Sequence, residues 1–473
     1  MTASRSRFAL VLSFAGVIAS SLHCRQASGV ARDPVEREAE DALVAYLRID
    51  TSNPPGNETS GARFLQQLLL KEGIKAKLVG SNPARQSVYA RISSGSSQPA
   101  LLLLHHIDVV PAVTSQWTRP PFAGMRANGY LWGRGALDVK SLGIAELMAV
   151  ADLKRRRVPL RRDIVYLGVA DEEMGGAAGC RELLEQHPEL FANVGYVLNE
   201  GGSSETVVDK VTVWGIETQE KVPLWLRIVV EGQAGHSASP PDGGGILARL
   251  VHSLDQIAQI PTPYRLTPSV GRFFRAVGKT KVDEKGEVLR EIREPIDVGR
   301  VERVLPSGYR SLLHNTIAIT RIEGGSCTNC LPARATADLD IRMLDDESSE
   351  PLLEKIKTLI PSGKGATVQV LLAAQPVPES RTDTELFRVL SETMRAAEPG
   401  SAVAAFVSPG TSDSRYFRAR GIVAYGIAPF KVNYYDADTV HGNDERIRAR
   451  FFSEGVRLMR AIVSGFCARR AAP

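Results

Sequence analysis

Three apolar runs in this chain end abruptly on acidic or imidazole side chains, and a glycine turn leads to a further acid. Ala100 to Leu104 runs into His105, His106 and Asp108; Ile164 to Ala170 into Asp171, Glu172 and Glu173; Tyr196 to Leu198 into Asn199 and Glu200; Gly133-Arg134-Gly135 precedes Asp138. In open α/β sheets the crevice outside the carboxyl ends of parallel strands is where ligands collect. The chain is thereby directed towards a mainly parallel sheet whose rim carries metal-type ligands. His441, far downstream in Thr439-Val440-His441-Gly442-Asn443-Asp444-Glu445, is one more candidate, ahead of a helical pattern near Arg446.

Between these runs, Val35 to Arg48 and Gly61 to Gly73 read as helices, with Asn53-Pro54-Pro55-Gly56 as a turn. After Gly135, Ile144, Leu147, Met148, Ala151 and Leu153 recur at helical spacing. Strands reached through helices imply parallel pairing, with helices on both faces. Near Val222 the period changes: Leu224, Leu226, Ile228 and Val230 alternate with other residues, as do Ala337, Leu339 and Ile341, the pattern of half-buried strands. A helical stretch from Gly245 to Ile260 lies between them, whereas Lys279 to Arg303, charged and poor in periodicity, is expected to be a loop or insertion. At 473 residues the chain exceeds what one core usually supports. The expected fold is an α/β catalytic domain in two pieces, residues 34–219 and 374–473, interrupted by a smaller inserted α+β lid domain, residues 220–373.

A net charge of +5 is mild for this length, and the basic residues form no stripe with interleaved aromatics, so nucleic acid is not an expected partner. Arg5 and Arg7 precede an apolar stretch from Phe8 to Ala19, and residues 1–31 are expected to be a secretory signal peptide. Its apolar part is too short for a comfortable membrane span. The expectation is a periplasmic or secreted protein, with membrane anchoring the alternative should the segment be retained. Beyond Cys24, only Cys180, Cys327, Cys330 and Cys467 are present, which is no disulfide framework. Cys327 and Cys330 form a lone CxxC, read as an incidental pair or a local bridge.

Two divalent ions about 3.5 to 4 Å apart need an anion between them to offset their repulsion. Asp138 is the natural bridge, because Gly133 and Gly135 permit a tight turn that projects it inward. His106 with Glu200 would complete one ion and Glu173 with His441 the other, a nitrogen and oxygen mixture that zinc favours and cobalt or manganese also accepts. Glu172 is left to act as general base, taking a proton from an activated water and delivering it to a leaving amine. Asp108, two residues after His106, is placed to orient that imidazole through its second nitrogen. Taken singly, each of these is usually a solvated surface group; the conjunction makes the site. His105, His187, His252 and His314 have no such company and are assigned structural roles.

The strings Leu104-His105-His106-Ile107-Asp108-Val109-Val110-Pro111, Gly133-Arg134-Gly135-Ala136-Leu137-Asp138-Val139-Lys140, Asp171-Glu172-Glu173-Met174-Gly175-Gly176 and Asn199-Glu200-Gly201-Gly202 resemble a known family. It is the di-zinc metallopeptidase family of glutamate carboxypeptidase, aminoacylase, acetylornithine deacetylase, succinyl-diaminopimelate desuccinylase and carnosinase, with the carboxypeptidase S branch nearest. The resemblance implies two Zn2+ per chain on the ligands named above, with Glu172 as base. It further implies that His236, in Gly235-His236-Ser237, reaches a neighbouring subunit's site to hydrogen-bond the developing oxyanion, hence a homodimer through the inserted domain. By the same resemblance Asn329 and Arg342 bind the substrate's carbonyl and carboxylate, and Gly410 and Thr411 belong to a substrate-facing turn. An arginine fork suits that task, since it can hold a carboxylate bidentately.

The implied activity is hydrolysis of an amide bond beside a free carboxylate, in a small peptide or an N-acyl amino acid. The sequence departs from the pattern at His105, where relatives usually have a small residue, at Asn199, where the branch often has aspartate, and at Asp444, where asparagine is usual. The alternative reading is a non-catalytic relative kept for binding or assembly. Such proteins typically lose a ligand or the base, and this chain retains both.

Overall fold

The structure, a computed structural model, describes residues 33–360 and 365–469. The expected leader, residues 1–31, lies outside the described residues. Helix Pro34–Leu47 begins where the Asp33 side chain accepts the Val35 N–H, with Pro34 in its first turn. Helices Pro34–Leu47, Lys140–Arg155 and Ala449–Cys467 pack together on one face of a nine-stranded sheet among the described residues. Alternate residues of strand Ala100–His106 serve two cores: Leu101 and Leu103 pack under these helices, Leu102 and Leu104 on the other face with Leu183, Phe191 and Phe417. Burial on both sides explains the unbroken apolar run.

At the centre of the sheet, strands Ile164–Val169, Ala100–His106, Val194–Asn199 and Val423–Gly426 run parallel. Antiparallel pairs flank them, Ser87–Ile92 on one side and Lys210–Glu220 on the other. The parallel strands all end at one rim, and the ligand candidates at residues 106, 172, 173 and 200 follow them there.

After Glu220 the chain enters a second sheet of four antiparallel strands, ordered Thr316–Gly324, Arg334–Met343, Val222–Glu231, Ala366–Ala373. Leu224, Leu226, Ile228, Ala337, Leu339 and Ile341 are buried on one face in a core shared with helices Gly245–Ala258 and Glu350–Leu359. The register leaves Trp225, Arg227, Asp338, Asp340 and Arg342 on the opposite face. Cys327 and Cys330 are bridged, and Cys180 and Cys467 are buried free thiols. Among the described residues no helix is long and apolar enough to cross a membrane.

The segment from Lys279 to Arg303 is not the loop its charges suggest. Glu284–Glu291 and Val298–Val304 are helices, capped by Asp283 and Asp297, whose side chains accept the N–H groups of Gly286 and Arg300. The charged residues coat their outer faces while Val288, Leu289 and Val301 are buried. This helical segment packs on the large sheet, not on the lid: Phe273, Phe274 and Val277 of helix Pro268–Gly278 share a core with Val213, Ala404 and Val407. Among the described residues the chain therefore passes between the two bodies four times: after Glu220, between Ile260 and Leu266, between Leu313 and Ile317, and between Ala374 and Ser380. Lys221, buried at the first passage, donates from Nζ to the carbonyls of Ser311 and His314, both at 2.8 Å, and so ties it to the third.

Candidate metal centre

His106 ends its strand as the neighbouring Ile107 N–H bonds the Val169 carbonyl at 2.8 Å. Its Nδ1 donates to the backbone carbonyl of Asp108 at 2.8 Å, which turns Nε2 towards Asp138 Oδ1 at 3.0 Å and Glu200 Oε1 at 3.6 Å. The orienting atom is thus the Asp108 carbonyl and not its carboxylate, which lies 3.6 Å from Nδ1. The carboxylate has another task. It accepts the backbone N–H groups of Glu172 at 3.2 Å and Glu173 at 3.1 Å, and Asn53 Nδ2 at 2.8 Å, so it fixes the turn that presents both glutamates. Asp171, left-handed at φ 71°, lets the chain turn sharply off the strand just before them.

Asp138 is presented by a glycine turn, with Gly135 at φ 89°, that is built around one buried acid. Glu445 Oε1 accepts the N–H groups of Leu137 at 2.7 Å and Asp138 at 3.0 Å, and its Oε2 accepts Gly135 N–H at 2.9 Å and Arg134 Nη1 at 2.8 Å. Sequence reasoning did not single out Glu445 or Asn53. Each works by binding groups far away in the chain, so no local pattern marks it.

Asp138 Oδ2 meets His441 Nε2 at 3.1 Å, and Glu173 Oε2 lies 3.2 Å from the same nitrogen. The side chains fall into two triads, His106 with Asp138 and Glu200, and Asp138 with Glu173 and His441; within each, the ligand atoms lie within 4.8 Å of one another. Asp138 belongs to both. The set fits a pair of divalent cations: one imidazole and two carboxylates face each position, and Glu173 Oε1 is buried with no hydrogen-bond partner.

The electrostatics express the same crowding. Burial, the charge of Glu200 and that of Glu173 push the Glu172 carboxyl well above its usual range. Burial and the Asp138 charge lift Glu173 to about 7. Hydrogen bonds that it donates to Asp138 and Glu173 raise the His441 imidazole to about 11. For His106 burial acts the other way, yet the charge of Glu200 and the neighbouring carboxylates of Asp108 and Asp138 hold it well above the histidine range. Crowding thus favours the protonated carboxyl at Glu172 and Glu173, while the two imidazoles favour the ionised carboxylate at Asp138.

Asp138, Glu173, Glu200 and His441 of the triads, together with Glu172, line a cleft of about 530 Å3 between the rim and the lid sheet, with Arg342, Gly410 and Thr411 also in its wall. Arg342 differs from the open fork expected of it. Its Nε and Nη2 bond the Asp340 carboxylate at 2.7 and 3.0 Å, and its guanidinium lies over the Trp225 ring. His236 and Asn329 are brought together, but outside this cleft: Gly235–His236 pairs with Cys330–Leu331, and Ser237 N–H bonds the Asn329 carbonyl at 3.1 Å. Both residues are exposed. His105 is buried beneath the rim, its Nδ1 3.0 Å from Glu146, a structural placement as its lack of company suggested.

The pattern that defines peptidase family M20/M25/M40 matches residues 102–465, and the chain belongs to that family. It is accordingly a metallopeptidase or amidohydrolase. The chain is 31% identical to the N-fatty-acyl-amino acid synthase/hydrolase PM20D1 of Xenopus tropicalis over 73% of its own length and 68% of the relative's. It is 27% identical to aminoacylase-1 of Sus scrofa over 92% of its length and 98% of that protein's. In fold it resembles an M20 family metallo-carboxypeptidase of Sulfolobus solfataricus, with TM-score 0.73 at 19% identity, covering 91% of this chain and 99% of that one.

Proposed function

We propose that the protein hydrolyses an amide bond beside a free carboxylate, in a small peptide or an N-acyl amino acid. One observation carries this reading: Asp138 is shared by two ligand triads, and Glu172 lines the same cleft. Relatives named for acyl amino acids support the substrate class.

His106, Asp138 and Glu200 would hold one cation, and Asp138, Glu173 and His441 the other, with zinc the proposed metal and cobalt or manganese compatible with the same donors. When bound, the ions supply Lewis acidity, lowering the pKa of water towards 7 and polarising the amide carbonyl. Glu172 then accepts a proton and delivers it to the departing nitrogen; its burial, which favours the protonated form, suits it to that exchange. Asp108 keeps Glu172 in place through the backbone, and Arg342 receives the substrate carboxylate by giving up Asp340. His236 and Asn329, remote from their own chain's cleft, are proposed to complete a neighbouring subunit's site in a homodimer through the lid. A fully active monomer in sedimentation would remove that part. Export is proposed from residues 1–31, and recovery of the protein with Met1 intact in the cytoplasm would remove it.

Replacing Glu172 with Gln should leave about two ions per chain by elemental analysis while turnover of dipeptides and N-acyl amino acids falls about 10²- to 10⁴-fold, the usual contribution of a general base. Normal turnover in that variant would refute the assigned role.

A further inference from the structure

The lid wall of the cleft is graded across its sheet. On strand Arg334–Met343 the cleft-lining side chains include Asp338, Asp340 and Arg342; on Val222–Glu231 they are Trp225 and Arg227; on the edge strand Ala366–Ala373 it is Leu371. Arg334–Met343 and Ala366–Ala373 flank Val222–Glu231, so the charged and apolar ends stand about 10 Å apart at ordinary strand spacing. Leu371 falls at the irregularity where the pairing shifts between Trp225 and Leu226, a kind of bulge that re-aims a side chain.

The opposite wall is apolar at the same end. Met174 directly follows Glu173, and the next residue, Gly175, approaches so near that a Cβ built on it would lie 3.2 Å from Leu372 Cδ2. The Gly175 carbonyl is pinned by Arg415 Nη2 at 2.8 Å and the Tyr416 hydroxyl at 2.5 Å, which holds this turn in place. Met174 and Leu371 are nevertheless 45% and 44% exposed, large apolar side chains left open to solvent in the cleft that holds Glu172.

We propose that Met174, Leu371 and Trp225 receive the group on the carbonyl side of the scissile amide, and that the protein selects substrates in which this group is a large apolar chain or ring. The inference deepens the function proposed above and rests on it. With the substrate carboxylate at Arg342, the scissile carbonyl carbon lies one extended residue away, about 3.3 to 3.6 Å. An acetyl group therefore stops short of Leu371, whereas a longer acyl chain reaches it.

The test compares kcat/KM of the zinc-loaded protein for N-acetyl, N-butanoyl, N-hexanoyl, N-octanoyl and N-phenylacetyl forms of one amino acid, and for the dipeptide carrying aspartate ahead of that amino acid. Each methylene laid on the patch should raise kcat/KM about fourfold, with the aspartyl dipeptide lowest. Leu371→Ser and Met174→Ser should each shrink the octanoyl-to-acetyl ratio tenfold or more. A flat chain-length series, or variants that slow every substrate equally, overturns the inference while leaving amide hydrolysis standing. Failure of the metal-loaded wild type to cleave any of these compounds overturns the underlying function instead.

Discussion

On the rim of the large sheet, Asp138 is held by a turn whose amides close on the buried Glu445, and the amides of Glu172 and Glu173 close on the buried Asp108. On the lid, Arg342 is held by Asp340 and Arg227 by Asp338, carboxylates that line the open cleft. The rim thus relies on main-chain bonds out of reach of water, the lid on ion pairs that another carboxylate can exchange into. A reaction that places two cations and a base needs fixed positions, whereas a surface that accepts and releases ligands needs partners it can trade.

The comparison is sharpened most severely at Asp138. Asp138→Ala removes a ligand from both triads, so metal content should drop from about two ions towards none and activity should fall further than in Glu172→Gln; retention of both ions would break the claim that this carboxylate is shared. Next in size, Glu445→Ala strips a buried carboxylate from Arg134 and from three amides, and should cost about 3 to 5 kcal/mol of stability in urea unfolding. A loss below 1 kcal/mol would mean the rim is no more rigid than the lid. Arg342→Met should be better tolerated by the fold: removing a charge-assisted bond to substrate, worth about 1.5 to 3 kcal/mol, raises KM some 10- to 100-fold with little change in unfolding.

The smallest effect is a pH dependence confined to metal-free protein. His441 is raised from 6.5 to about 11 when folded, so its contribution to stability is whole below 6.5 and is lost as pH climbs through 11. Glu173, raised to about 7, likewise loses its contribution between 4.5 and 7. Tm of the metal-free protein should fall as pH rises from 5 to 9, and saturating zinc should flatten the curve. A Tm that rises over that interval without metal would contradict the crowding described at the rim.

Much of the rim was legible because its signal is local: each buried strand is an apolar run, and a polar residue two or three places beyond its last apolar residue reaches the metal centre. His106, Glu173 and Glu200 are found that way, and Asp138 by its glycines. The two-residue alternation of Leu224 to Val230 likewise marks the lid strand by its half-buried face. What the sequence hid acts at a distance. Glu445 serves amides some 310 residues away, and Asp108 works through its carbonyl for His106 and its carboxylate for the glutamates, a division that side-chain identity cannot disclose. The helices between 284 and 304 were masked because their charged outer faces outnumber the few apolar residues beneath.

The fourfold passage of the chain between the two bodies has a mechanical consequence. A flap joined by one pair of adjacent connections can swing about the line through them, but Lys221 joins the first passage to the carbonyls that precede the third, while Phe273 and Phe274 are sunk into the far body. Any wide rotation would have to bend all four passages together, because the apolar bed under those rings keeps the segment between the second and third anchored to the far body. The gap is therefore framed by several joints at once, and any change in its width has to be shared among them instead of falling on a single hinge.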